Sequence, residues 1–347
     1  MKRKDSYTVA VLGATGAVGQ AMMETLERRN FPVGELRPLA SSRSAGREVQ
    51  FRSQSVVVRE ATEEAFAGVD IALFSAGGDA SIHFAPLAVR QGAIVVDNSS
   101  AFRMDPAVPL VVPEVNDHAV SQHQGIIANP NCSTIQLMVA LQPLKDLGLE
   151  HITISTYQAV SGMGQQAIDA LKEELDGFGR GEEITTIFPV KSQPQHYPMA
   201  FNVIPQADAF LDNGYTKEEM KLVNESRKIL ELPELLVSPT AVRVPVLYGH
   251  AEAVSVRFKT AVTADEVRNR LLNAPGVQVM DDPAQGVYPH PRMAAGSGDT
   301  FVGRIRQDLA DDHSVLLFVV ADNILKGAAW NAVQIAEVLI RDAEETV

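Results

Sequence analysis

Apolar and polar positions follow two regimes along the chain, and the change falls near Leu149. Before it, short β-rich runs alternate with stretches of helical period. Tyr7–Leu12, Glu35–Ala40, Ser55–Arg59, Asp70–Phe74 and Ala93–Val96 read as strands, with helices over Gln20–Asn30 and Asp79–Gln91 between some of them. Strands alternating with helices predict a parallel sheet covered on both faces. After Leu149 the runs lengthen and alternate strictly, over His151–Gln158, Thr240–Lys259, Phe301–Gln307 and Ser314–Val320. That pattern predicts a mixed or antiparallel sheet with one face buried and the other covered by helices or a partner subunit. The stretch Phe178–Phe210, rich in Pro, Gly and polar residues, reads as an extended excursion. The last helix, Leu325–Arg341, follows a strand directly, so it can return to the N-terminal domain. The expected division is a first domain over residues 1–131, completed by 323–347, and a second over 132–322.

Composition narrows the class. A chain of 347 residues, 46% apolar, suits two ordinary cores. No stretch approaches the roughly 18 apolar residues of a spanning helix. The opening MKRKDSYTVAVLG reads as a solvated leader before a first strand, not a signal peptide. A single cysteine precludes an internal disulfide and any multi-cysteine metal site, so no metal is expected and a reducing cytoplasm is. The formal net charge of −13 argues against nucleic acid or an anionic membrane as a partner. An anionic substrate would then have to be held by a few local cations.

Gly13, Ala14, Thr15, Gly16, Ala17, Val18 and Gly19 follow the first strand and open a helix. Glycines there allow a tight turn and let backbone N–H groups approach a pyrophosphate at the positive end of the helix dipole. The spacing is GxxGxxG, and a glycine turn without a ligand is the alternative. The second strand ends in Ser41-Ser42-Arg43-Ser44-Ala45-Gly46, without the acid that would bind a ribose 2′-hydroxyl. Arg43 and its hydroxyl neighbours suit a 2′-phosphate, which points to NADP, although a plain surface turn has the same composition. A further glycine turn, Ser75-Ala76-Gly77-Gly78, ends another strand on the edge expected for the nicotinamide.

Cys132 lies in Asn129-Pro130-Asn131-Cys132-Ser133-Thr134, just before the apolar helical stretch Ile135–Leu147. Near a helix N-terminus the dipole favours the reactive thiolate, whereas a lone cysteine elsewhere is more often a small buried hydrophobe. Gln158 closes one strand and precedes the turn Ala159-Val160-Ser161-Gly162. Arg243 and His250 fall seven apart on one expected strand, an odd spacing that puts them on opposite faces unless Pro245 or Gly249 bends it.

With these blocks in hand the chain resembles the aspartate-β-semialdehyde dehydrogenases almost end to end. GATGAVG, SSRSAG, DNSSAFR (97–103), NPNCST (129–134), QAVSG (158–162), EEMK (218–221), RVPVLYGH (243–250) and DNILKGAA (322–329) carry the resemblance, and SSRSAG is closest to the Gram-positive branch. It implies an α/β protein with a Rossmann-like domain and an α+β catalytic and dimerisation domain built on a large mixed sheet. It implies Cys132 as the nucleophile that forms an acyl thioester, His250 as general acid/base and Gln158 as a positioning group. Arg243 would hold the substrate α-carboxylate, Glu218 its amino group, and Arg103, Lys221 and Asn131 the phosphate. Thr15–Val18, Arg43, Ser44, Ser161, Gly162 and Asn323 would contact NADP. The implied reaction reduces 4-aspartyl phosphate with NADPH to aspartate semialdehyde and phosphate, for lysine, methionine, threonine and diaminopimelate synthesis. A homodimer, or a tetramer, is the implied assembly. Two other readings are an N-acetyl-γ-glutamyl-phosphate reductase, whose cysteine block resembles NPGCYPT, and a non-catalytic NADP-binding sensor of the same fold.

Overall fold

The computed structural model describes residues 3–182 and 184–345. The last residues of the expected C-terminal segment, 346 and 347, lie outside these. The chain forms two compact units, residues 1–131 with 328–347, and residues 132–327.

The first unit contains β1 (Tyr7–Leu12), α1 (Ala17–Arg28), β2 (Val33–Ala40), β3 (Glu48–Phe51), β4 (Gln54–Val57), β5 (Arg59–Glu60), β6 (Ile71–Phe74), α2 (Gly78–Arg90), β7 (Ile94–Asp97), α3 (Pro113–Asn116) and β8 (Ile126–Ala128). Six strands make a parallel sheet in the order β5-β2-β1-β6-β7-β8. Every residue of β6 and β7 is buried, as expected of strands covered on both faces. The expected strand Ser55–Arg59 is divided: β3 and β4 form a small antiparallel hairpin, and β5 joins the main sheet beside Ala40. From β1 the chain first builds outward to β2 and later returns to β6 on the other side of β1. That reversal opens a crevice at the carboxyl ends of β1 and β6, where this class of sheet binds ligands. The C-terminal helix, Trp330–Glu345, belongs to this unit and packs on α1, with Arg29 over the Trp330 ring at 4.5 Å and paired to Glu337 at 2.6 Å.

The second unit contains α4 (Cys132–Leu141), β9 (Leu149–Gln158), α5 (Gln165–Gly179), α6 (Lys217–Ile229), β10 (Leu236–Arg243), β11 (His250–Phe258), α7 (Ala264–Leu272), β12 (Val277–Val279), α8 (Pro291–Ala294), β13 (Thr300–Gln307) and β14 (Ser314–Ala321). Its sheet runs β10-β9-β11-β14-β13-β12 and is mixed: β10 lies parallel to β9, β12 parallel to β13, and the remaining pairs are antiparallel. α4 is buried from Ser133 to Leu141, which explains why its apolar residues show no single face. α6 starts with a full capping box, Thr216 and Glu219 each bonding the other's backbone N–H.

One expectation fails here. Thr240–Lys259 is not a single strand, because β10 ends at Arg243 and β11 begins at His250. The connection turns at Gly249, whose φ of +88° suits glycine and where an added Cβ would lie 2.9 Å from the Pro291 carbonyl oxygen. The odd spacing that seemed to separate Arg243 from His250 therefore carries no meaning.

Candidate active site

The ends of three strands converge in the second unit. Gln158 at the end of β9 pairs in register with Arg243 at the end of β10, and the antiparallel β11 begins beside them with His250. All three side chains are buried. Against these ends stands the first residue of α4, Cys132, whose Sγ lies 3.2 Å from His250 Nε2. On the far side of the cysteine an added Cβ on Gly327 would lie 2.8 Å from the Cys132 Cβ, so glycine is what lets that segment approach.

The other nitrogen of His250 fixes the ring's state. Nδ1 accepts the Ala159 backbone N–H at 3.0 Å, so a neutral ring carries its proton on Nε2, facing the sulfur. Burial, and then the charge on Arg243, push the pKa of His250 down to about 3, against the opposing effect of Glu218. An ordinary histidine would titrate near working pH; this one stays neutral. The sulfur thus faces an N–H donor at the start of a helix, two features that stabilise a thiolate.

Arg243 donates from Nη1 to the Ala159 carbonyl at 2.9 Å, and Gly162 is cut back to glycine beside it, since a Cβ there would lie 3.1 Å from Nη1 and 3.3 Å from His250 Cε1. Burial lowers the Arg243 pKa, with Glu218, Cys132 and Asp208 pulling it back; a guanidinium keeps its charge under such conditions. Burial also opposes ionisation of Glu218, but Lys221, Arg243 and the Gln158 amide outweigh it and bring its pKa to about 2. Gln158 Nε2 is held between Ser133 Oγ at 2.8 Å and Glu218 Oε1 at 3.1 Å. Lys221 Nζ bonds Glu218 Oε2 at 2.9 Å and Asp208 Oδ2 at 3.1 Å. Ser161 and Asn323 bond each other, and Asn323 Oδ1 takes the Gly249 N–H at 2.9 Å.

Cys132, Gln158, Ser161, Gly162, Glu218, Lys221, Arg243, His250 and Asn323 therefore all belong to the second unit, while Arg103 and Asn131 belong to the first. Arg103 is buried there, donating to the carbonyls of Asn129 at 3.0 Å and Asn98 at 2.9 Å. Motif reading gave no role to Ser133 or the Ala159 backbone, although NPNCST and QAVSG contain them, and it missed Asp208, which lies in no recognisable pattern.

The first unit holds a cavity of about 590 Å³ at its strand reversal, lined by Gly13, Thr15, Gly16, Arg43, Ser44, Glu60 and Ser75 among others. Gly13 has φ of +86°, and a Cβ on it would strike Ser75 Oγ at 2.8 Å; a Cβ on Gly19 would lie 2.2 Å from the Gly13 carbonyl oxygen. Gly16, the cap of α1, brings no side chain to the first N–H groups of the helix. Backbone donors, a helix N-terminus and a nearby guanidinium suit a dinucleotide diphosphate with a further phosphate. Ala17 and Val18 open the same helix turn. Glu60 is a surprise: the register Ala40↔Glu60 delivers an acid to the end of β2 from another strand.

Among the described residues no helix is long and apolar enough to cross a membrane. Residues 8–123 match the family description "Semialdehyde dehydrogenase, NAD binding domain", and residues 141–326 match "Semialdehyde dehydrogenase, dimerisation domain". The chain is 54% identical to the aspartate-semialdehyde dehydrogenase of Bacillus subtilis, over 95% of this chain and 96% of that one. Its structure is similar to that of aspartate semialdehyde dehydrogenase II of Vibrio cholerae complexed with ASA, with TM-score 0.93, 47% identity and 98% and 99% of the two chains covered. It also resembles the Candida albicans aspartate semialdehyde dehydrogenase with NADP, with TM-score 0.73, 27% identity and 99% and 100% coverage.

Proposed function

The chain belongs to the aspartate-semialdehyde dehydrogenase family, and from that premise we propose how its residues carry the reaction. As a member it is an NADP-dependent oxidoreductase of amino-acid biosynthesis. The substrate is 4-aspartyl phosphate and the product L-aspartate 4-semialdehyde. The observation that carries the reading is the Cys132 Sγ, 3.2 Å from a buried, neutral imidazole at the start of α4.

Cys132 thiolate attacks the acyl carbon; a C–S bond forms, the C–O bond to phosphorus breaks, and phosphate leaves. NADPH, when bound, would supply the hydride needed at the thioester carbon. The C–S bond then breaks, releasing aldehyde and regenerating the thiolate. His250 holds its Nε2 proton first against the sulfur and then against the oxygen on which negative charge develops, stabilising that charge as a preorganised donor. The family resemblance makes His250 a general acid/base; the Ala159 N–H on Nδ1 supports donation from Nε2 as its resting role. Arg243 takes the substrate α-carboxylate and ionised Glu218 its ammonium, while Gln158, pinned by Ser133 and Glu218, orients the acyl group. Lys221, Arg103 and Asn131 receive the phosphate. Gly13 and Thr15–Val18 would hold the cofactor diphosphate, Arg43 and Ser44 its 2′-phosphate, and Ser161, Gly162 and Asn323 its nicotinamide half.

The assembly is a homodimer through the second unit, the part that matches a dimerisation domain; a tetramer is the alternative that sedimentation distinguishes. The enzyme acts in the cytoplasm, where a reduced Cys132 persists.

The deciding assay supplies aspartate semialdehyde, NADP and phosphate and follows NADPH. Turnover is expected, and Cys132→Ala lowers it by more than about 10⁴-fold. Turnover of N-acetylglutamate semialdehyde in its place would make the chain an N-acetyl-γ-glutamyl-phosphate reductase, and NADP binding without turnover of either would make it a sensor.

A further inference from the structure

Two residues beyond His250 on β11, and therefore on the same face of the strand, lies Glu252. It is fully buried, and neither carboxyl oxygen has a hydrogen-bond partner within range. A buried carboxylate without a partner is among the costliest groups a fold can hold. Its surroundings are not ionic. The cross-strand neighbours are Thr156 on β9 and Val319 on β14, neither of which titrates at ordinary pH. From α4 comes Gln136, one helical turn after Cys132 and also fully buried. The other titratable or charged side chains on the elements beside it are His250 and Arg257 on β11, Glu150, His151 and Tyr157 on β9 and Cys132 at the head of α4, with none on β14. Burial raises the Glu252 pKa well above the usual carboxylate range, and the only group that offsets it is the Gln136 side chain.

Gln136 shows the complementary defect. Its Nε2 reaches the His250 carbonyl at 3.4 Å, but its Oε1 has no donor. A carboxylic acid and an amide oxygen, both buried and unpartnered, on side chains within reach of each other, are satisfied together by one proton.

We propose that Glu252 is a positioning residue for the Cys132–His250 pair, held as a neutral carboxylic acid whose O–H donates to Gln136 Oε1. That bond fixes which way the Gln136 amide points. Its Nε2 then stays on the His250 carbonyl and anchors the first residue of β11 beneath the cysteine, while the Ala159 N–H anchors the imidazole from its other side. Glu252 touches no reacting atom and works only through Gln136. The inference rests on Cys132 and His250 being the reactive pair.

The test uses the full-length protein and its single cysteine. The rate of Cys132 alkylation by iodoacetamide needs neither substrate nor cofactor, so it is readable even if the assigned substrate is wrong. Glu252→Leu, which removes the donor, is expected to change that rate by roughly tenfold or more, because the geometry of the pair is released. Glu252→Gln, which keeps a neutral donor of the same shape, is expected to leave it unchanged. Thermal unfolding supplies a second reading. A carboxyl whose folded pKa is raised costs stability as pH rises through the ordinary carboxylate range, so the margin of Glu252→Gln over the wild type widens from pH 5 to pH 8. Equal rate losses in the Gln and Leu variants, an unchanged rate in the Leu variant, or a margin that narrows with pH would each overturn the proposal. Should the Leu variant fail to fold, the Gln variant's rate and pH-dependent margin decide alone.

Discussion

The two units build their sites from different materials. In the first, the candidate NADP cavity is made largely of backbone: a glycine turn with φ of +86° at Gly13, the open first turn of α1, and the glycine contact between Gly19 and Gly13. In the second, the site is made of buried side chains that hold one another in fixed charge states, with Glu218 ionised, His250 neutral and Arg243 charged. A backbone site is sensitive to added volume and almost indifferent to pH. A side-chain site of this kind depends, in addition, on every neighbour's protonation.

The largest effect should come from volume in the first unit. Gly19→Ala drives a Cβ into the Gly13 carbonyl, with only backbone to give way. We expect destabilisation of about 3 kcal/mol and loss of NADP binding, measured by urea unfolding and by cofactor titration; a well-tolerated alanine would break the comparison.

Acid should be the weapon against the second unit. His250 titrates near 3 when folded and near its ordinary 6.5 when unfolded. Between those values the unfolded chain binds a proton at this site that the folded chain refuses, so the histidine's contribution to stability falls as pH drops, while the raised Glu252 contributes with the opposite sign above the ordinary carboxylate range. The contribution is about 1.4 kcal/mol per pH unit. Glu218, depressed to about 2, adds to this loss only once the pH falls below its ordinary 4.5. His250→Asn should remove the part between pH 6.5 and 4.5, visible as an advantage of the wild type over the variant in urea midpoint that shrinks as pH falls; a difference that does not change with pH would mean that His250 charges in place.

Smaller effects belong to the rim of the cofactor cavity. Arg43→Ala should raise the KM for NADP about tenfold with kcat nearly unchanged, as expected on losing a charge-assisted contact to a phosphate. Glu60→Gln should lower the same KM by about twofold, because an exposed like charge is removed from beside the 2′-phosphate and surface charges act weakly. High salt should erase the second effect.

How far each site could be read from sequence follows from the same contrast. The glycine turn is contiguous, so Gly13 to Gly19 declare themselves, and Arg43 follows from the end of β2. Glu60 was invisible because its strand joins the sheet from the far side of a hairpin. Cys132 was readable from the helix start, but its partners come from the ends of separate strands, where spacing along the chain has no bearing on distance. Arg243 and His250 are the clearest case: reading them as one strand put them on opposite faces, whereas a break at Gly249 brings both to one edge. Family resemblance found them because it compares blocks and does not require a spacing. Even so, it could not say that His250 rests neutral, since the Ala159 N–H and the burial responsible belong to the fold.

Gly327 has a consequence for how such chains can change over generations. The room between its Cα and Cys132 Cβ is too small for any side chain, so drift at residue 327 is tied to a residue nearly two hundred positions earlier. An aligned set of functional relatives should keep glycine there wherever it keeps the cysteine. Chains that have lost the thiol should be the ones in which larger residues first turn up.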